Sequence, residues 1–199
     1  MKNDLTKIQD SILILCTLQA LLDEYLNCLT KEKEKPESVI FSIISNQIII
    51  TSCSYMDEWE ELGKLIIEDS SQRILTLRKI VKPAISRINE WTDMRQFRNN
   101  IIAHNHRIKK ENNSLAIFNI SRKLNCPYSF YDYKLLIGCV FITKNVLLRL
   151  FQKEYNLSLS SIKNIEDILP FNEIKDEETY RNEFDKVTQN VERLIKTLM

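Results

Sequence analysis

The sequence predicts an all-α protein, a helical bundle of about five to six helices. Three observations carry this. Only 2 Gly and 4 Pro occur among 199 residues, too few for the tight turns of an all-β fold. Gly63 and Gly138 stand far apart, so no Gly-rich phosphate cradle of the Rossmann or P-loop kind can be written. Long apolar segments recur at helical spacing, and 44% hydrophobic with 28% charged residues is a globular composition. Ile and Leu dominate (27 and 24, against 4 Ala), which implies widely spaced helices around a bulky core.

The elements follow in order. Asn3 or Asp4 caps a first helix to about Leu29, with Leu5, Ile8, Ile12, Leu15, Leu18, Leu22 and Leu26 in one stripe. The charged KEKEKPE turn leads into a second helix, with Pro36 at its first position, reaching about Asp69. Its middle, VIFSIISNQIII, is apolar nearly all round, as a central helix would be. Ser70 or Ser71 caps a third helix to about Asn89, which Pro83 is expected to kink or split. A fourth runs from about Thr92 to His106, and residues 107–127 read as a loop with a short extended piece around LAIFNI. Ser129 and Asp132 resemble a capping box for a fifth helix over 131–155. A linker with Pro170 and an amphipathic helix over about 173–198 complete the chain. These elements are expected to form one domain, with its core over about 4–156 and a C-terminal linker and helix over 157–199.

The 5 Cys have no CxxC spacing, which suits buried, reduced thiols rather than disulfides or zinc. No signal peptide is expected, and Gln19, Asp23, Asn46 and Gln47 interrupt the best candidates for a membrane span. The expectation is a cytoplasmic protein without a membrane partner. Net charge is +1, yet the distribution is uneven. Residues 73–110 hold ten basic side chains against Glu90 and Asp93, whereas residues 57–69 and 166–185 are acidic. Solvated faces with intramolecular pairing explain this pattern, and so does a phosphate-binding surface on the third and fourth helices.

Both histidines fall in WTDMRQFRNNIIAHNHR. On a helical wheel with Phe97 at zero, Met94 lies near 60°, Ile101 near 40° and His104 near −20°, all roughly on one apolar stripe. Asn100 lies near −60°, with Arg98 and Asn105 near 100° and 80°, again roughly. A polar imidazole on that face needs a partner. One reading is a core histidine bonded to Asn100 or a carbonyl, with Arg98 paired to Asp57 or Glu58. The other is an open cleft, in which Arg98 of one chain approaches His104 of a second across a two-fold axis. Trp59 and Trp91 read as core, while Tyr128, Phe130, Tyr131 and Tyr133 are better placed to stack on bases.

The run from Arg98 and Asn99 through four residues to His104 resembles the R-polar-x4-H signature of the HEPN superfamily, a group of all-α domains. The likeness extends weakly over the chain through SYMDEWEEL and the following RNN-IIAHN helix. It is most similar to the branch found in bacterial abortive-infection and toxin–antitoxin proteins, part of antiviral defence. The resemblance implies a HEPN-like bundle acting as a metal-independent endoribonuclease and a homodimer, with no cofactor. It further implies RNA as substrate and an antitoxin or nucleotidyltransferase-like protein as partner.

The residue chemistry agrees with that implication. His104 is suited to take the ribose 2′-OH proton, and the same residue of the partner chain to protonate the leaving oxygen. Arg98 offers a planar fork to the phosphorane oxygens, with Asn99 as a polar helper. Arg95, Asn100, Asn105 and Arg107 are candidates for substrate binding. His106 reads as an exposed helix-end residue. The alternative is a non-catalytic helical module that dimerises and binds a nucleotide or a partner protein.

Overall fold

The computed structural model describes residues 2–65, 68–103 and 124–163, together with Glu178, Arg181, Asn182 and Asp185. Among them are five helices and no strand: α1 (Lys2–Glu32), α2 (Val39–Lys64), α3 (Glu68–Asn89), α4 (Met94–Ala103) and α5 (Phe130–Lys163). The all-α class is thus observed. The chain divides into two compact units, Met1–Ser161 and Ile162–Met199. Most of the expected helix over 173–198, and of the loop over 107–127, lies outside the described residues.

The helix borders follow from local chemistry. Ser38, not Pro36, begins α2. Its backbone is extended (φ −68°, ψ 146°) and its Oγ accepts the Phe41 N–H at 3.0 Å. α2 ends at Lys64, where Leu65 leaves helical geometry and returns its N–H to the Leu62 carbonyl. Pro83 does not split α3, which stays one helix. Both Pro83 and Lys79 are exposed, so the carbonyl that proline cannot serve lies on the solvent side. The capping box is present. Ser129 Oγ accepts the Asp132 N–H at 3.1 Å, and Asp132 Oδ2 accepts the Ser129 N–H at 2.9 Å.

The break falls instead in α5, at Phe151 (φ −128°, ψ 27°). A contact from α3 meets it there. Arg73 places its guanidinium 4.7 Å from the Phe151 ring centroid and donates to the Leu150 carbonyl at 3.1 Å and Glu154 Oε1 at 2.7 Å. The carbonyl released by the kink therefore still has a donor.

α1 and α2 form an antiparallel hairpin, since Ser11 near the start of α1 donates to Glu58 near the end of α2. Most of the expected α1 stripe is buried: Ile8, Ile12, Leu15 and Leu22 are almost fully enclosed, Leu18 and Leu26 pack partly buried against them, and Leu29 extends the buried line. α2 buries a broad face from Phe41 to Leu62, but Val39, Ile40 and Ile43 are exposed, so it is not enclosed on every side as its all-round apolar middle predicts. α5 closes the bundle through Phe41 against Tyr133 and through Ser158 Oγ on the Gln9 carbonyl.

Three segments are long and apolar enough to cross a membrane by length and composition: Thr6–Glu32, Val39–Lys64 and Phe130–Ser161, with mean hydropathy 1.5 to 1.6 in their best windows. The polar residues expected to interrupt such runs are too sparse to lower that mean. In the bundle one of them is internal: Gln19 is buried and donates to Asp23 on the next turn.

Candidate functional site

α4 is aimed by the turn that precedes it. Asn125 donates its backbone N–H to Asp93 Oδ2 at 2.8 Å and its side-chain amide to the Glu90 carbonyl at 2.7 Å. Asp93 N–H returns to the Asn125 carbonyl at 3.2 Å. The segment after the loop is thereby clipped to the turn before α4. Met94 and Phe97 point into the core, as the wheel predicts, and this rotates Arg95 and Arg98 toward α2.

On α2, Asp57 and Glu60 are one turn apart, matching the spacing of the two arginines. Arg98 Nη1 contacts Asp57 Oδ2 at 2.5 Å, and Arg98 Nε donates to Asn99 Oδ1 at 3.3 Å. Arg95 Nη2 lies 3.0 Å from Asp57 Oδ1 and 2.7 Å from Glu60 Oε1. Arg98 is the more enclosed, with 22% of its side chain exposed against 48% for Arg95. Among the described residues Arg98 Nη2 has no partner. The cluster holds two guanidinium groups against two carboxylates, so it is locally neutral.

Cys53 lies one turn before Asp57 on α2. Burial pushes its thiol up to about 11, opposed by the nearby positive charge of Arg98, so it stays protonated and unreactive at neutral pH. Cys126 is pushed up by burial to about 12. A cleft of about 390 Å³ opens beside the cluster, between Met56 and Glu60 of α2, Ile88 and Asn89 of α3, and Arg95. Among the described residues no three His, Cys, Asp or Glu side chains come together as metal ligands.

Of the residues singled out in the sequence, Arg98, Asn99 and Arg95 share one face of the α2–α4 contact. Asn100 is helical, but its side chain lies outside the described residues, as do His104, Asn105, His106 and Arg107. The anticipated partner of Arg98 was Asp57 or Glu58. It is Asp57, because Glu58 turns to Ser11 on α1.

One other expectation changes. Tyr133 is not a stacking surface, being 5% exposed and packed on Phe41, whereas Tyr128 and Tyr131 are open. The basic run on α3 and α4 is largely engaged within the molecule. Arg73 pairs with Glu154, Arg87 with Glu90 while lying over Trp91, and Arg78 lies over Gly63, where a side chain would collide with it. Glu60 was missed as a partner of Arg95, although its spacing from Asp57 was visible. Comparison of the chain with protein-family models, curated proteins and solved structures gives no match.

Proposed function

We propose that the protein is a metal-independent endoribonuclease of the HEPN type, the toxin or effector of a bacterial defence or toxin–antitoxin system, working in the cytoplasm. One observation supports this above others. Arg98 is mostly covered and held by Asp57 and Asn99, at the arginine position of the R-polar-x4-H pattern. A guanidinium fixed in this way presents its remaining donors without a further loss of side-chain freedom. In this reading Asp57 is a positioning residue, Arg98 stabilises charge on the scissile phosphate, and Asn99 steadies the fork. His104 takes the 2′-OH proton so that the oxygen attacks phosphorus, and His104 of a second copy protonates the departing 5′-oxygen. Arg95, Asn100, Asn105 and Arg107 line the approach of the RNA strand. An antitoxin or nucleotidyltransferase-like partner restrains the activity.

A second reading has its own support. Both Arg95 and Arg98 are paired with carboxylates of α2, as they would be in a helical dimerisation or partner-binding module where the cluster only fixes α4. The two readings separate in one assay, incubation of total RNA in EDTA with wild type and His104→Ala. Cleavage by wild type alone is expected for the nuclease. RNA left intact by wild type under every condition selects the binding module.

A further inference from the structure

A second cavity, of about 120 Å³, lies between the first turns of α2, the start of α5 and the inner face of α4. Its walls are aromatic. Phe41 and Tyr133 meet edge to face with centroids 6.3 Å apart, and Phe97 closes the α4 side. One face of α2 supplies polar groups from Ser42, Ser45 and Asn46, which helical spacing makes neighbours. Exposed Tyr128 stands at the rim.

Ser45 sets this cavity apart from a packing defect. The residue is 5% exposed, and its Oγ has no hydrogen-bond partner among the described residues. It interacts with the Tyr133 hydroxyl but lies outside hydrogen-bonding geometry with it. Native interiors seldom leave such a group unpaired. The size narrows what would complete it. An apolar cavity of roughly 150 Å³ holds benzene, and at about 120 Å³ this one is nearer in size to a single six-membered ring than to a fused pair. A purely apolar ring would leave Ser45 unpaired. A ring with donors and acceptors on its edge would meet both the hydroxyl and the Asn46 amide, which offers each kind.

We propose that this cavity binds a pyrimidine base, the ring held among Phe41, Phe97 and Tyr133 and its polar edge on Ser45 and Asn46. A free pyrimidine nucleotide and an unstacked base of single-stranded RNA present the same chemistry. In naming RNA as a source, the inference rests on the nuclease reading. A base held here would sit against the helix that carries Arg98, so the pocket would select the sequence near the cut.

The test uses the full chain with His104→Ala, to prevent turnover. It is titrated with uridine and adenosine 5′-monophosphates, and with oligouridylate and oligoadenylate of equal length. Saturation-transfer NMR and calorimetry follow binding. The uridine ligands bind, and Ser45→Ala and Asn46→Leu each weaken them about tenfold, the scale of one lost hydrogen bond. The melting temperature of Ser45→Ala stays level or rises, because an unpaired hydroxyl has been removed. Binding of oligouridylate alone assigns the base to RNA, and binding of the mononucleotide alone assigns it to a free nucleotide. The inference is overturned if no uridine ligand binds, if the adenine ligands bind equally well, or if both substitutions leave binding unchanged. Cleavage by wild type is scored separately. RNA cleavage without pyrimidine binding removes this pocket and keeps the nuclease, and binding without cleavage does the reverse.

Discussion

Arg98 Nη1 and Asp57 Oδ2 are 2.5 Å apart, and this contact ties α4 to the second half of α2. The same carboxylate also receives Arg95 at 3.0 Å. Asp57 therefore holds two cations of one helix, and Glu60 assists on the more exposed one.

Removing Asp57 disturbs both arginines together. Exposed pairs contribute up to about 1 kcal/mol and breaking a buried one costs about 3–5. With Arg98 mostly covered and Asp57 half open, Asp57→Ala is expected to lower stability by about 1–2 kcal/mol, between those limits. Urea unfolding measures this. Arg95→Ala should cost less, about 0.5 kcal/mol, and its effect should fade with added salt because that arm faces water.

The α3–α5 contact is the stronger structural pair. Glu154 is 6% exposed, and its Oε2 already lacks a partner. Burial favours the neutral acid, but the Arg73 hydrogen bond, a backbone N–H and the charges of Arg73 and Lys153 together outweigh it and hold the Glu154 carboxyl below its ordinary value. Arg73→Ala strands that carboxylate and the Leu150 carbonyl, with an expected loss of about 2–4 kcal/mol. Arg73→Lys should recover only part of it, since one ammonium cannot replace the fork. Thermal melting of the two variants compares them.

Acid should weaken the start of α5. Burial raises the Asp132 carboxyl, yet hydrogen bonds from Ser129 and the Tyr128 N–H bring it below its ordinary value of 3.8. A carboxyl depressed in the folded state stabilises it fully above the unfolded value, and that contribution is lost as pH falls through the folded one. Ser129→Ala is expected to cost about 1 kcal/mol at neutral pH. The gap to wild type should narrow below about pH 4, which denaturation at a series of pH values would show.

The nuclease mechanism needs a homodimer. Phe141 and Ile142 of α5 are 45% and 54% exposed in the single chain, and such apolar surface favours association. Light scattering at tens of micromolar should give the mass of two chains, with α4 of each near the axis. A monomer at that concentration counts against a shared cleft.

The sequence revealed those features that depend on local periodicity. The α1 stripe, the inward turn of Met94 and Phe97 and the Ser129–Asp132 box all follow from spacing within one helix. Contacts between helices were less visible. Nothing near Phe151 announces a kink, and the Arg73 side chain that serves the Leu150 carbonyl there is far away in the chain. Asp57 and Glu58 are adjacent carboxylates, and only the rotation of α2 against α1 and α4 assigns one to Arg98 and the other to Ser11. The Ser45 cavity was hidden for a similar reason. A serine in an apolar run reads as filler until three helices surround it and leave it unpaired.

Arg98→Lys tests the central claim most directly, with RNA cleavage in EDTA and thermal melting measured on the same preparation. The substitution keeps the charge beside Asp57 but removes the planar fork. If Arg98 stabilises the scissile phosphate, cleavage falls by about 10²–10³ while the melting temperature hardly moves. Cleavage at the wild-type rate by a well-folded Arg98→Lys or Arg98→Ala protein would contradict the assignment, and a large drop in melting temperature with cleavage intact would make Arg98 a packing residue.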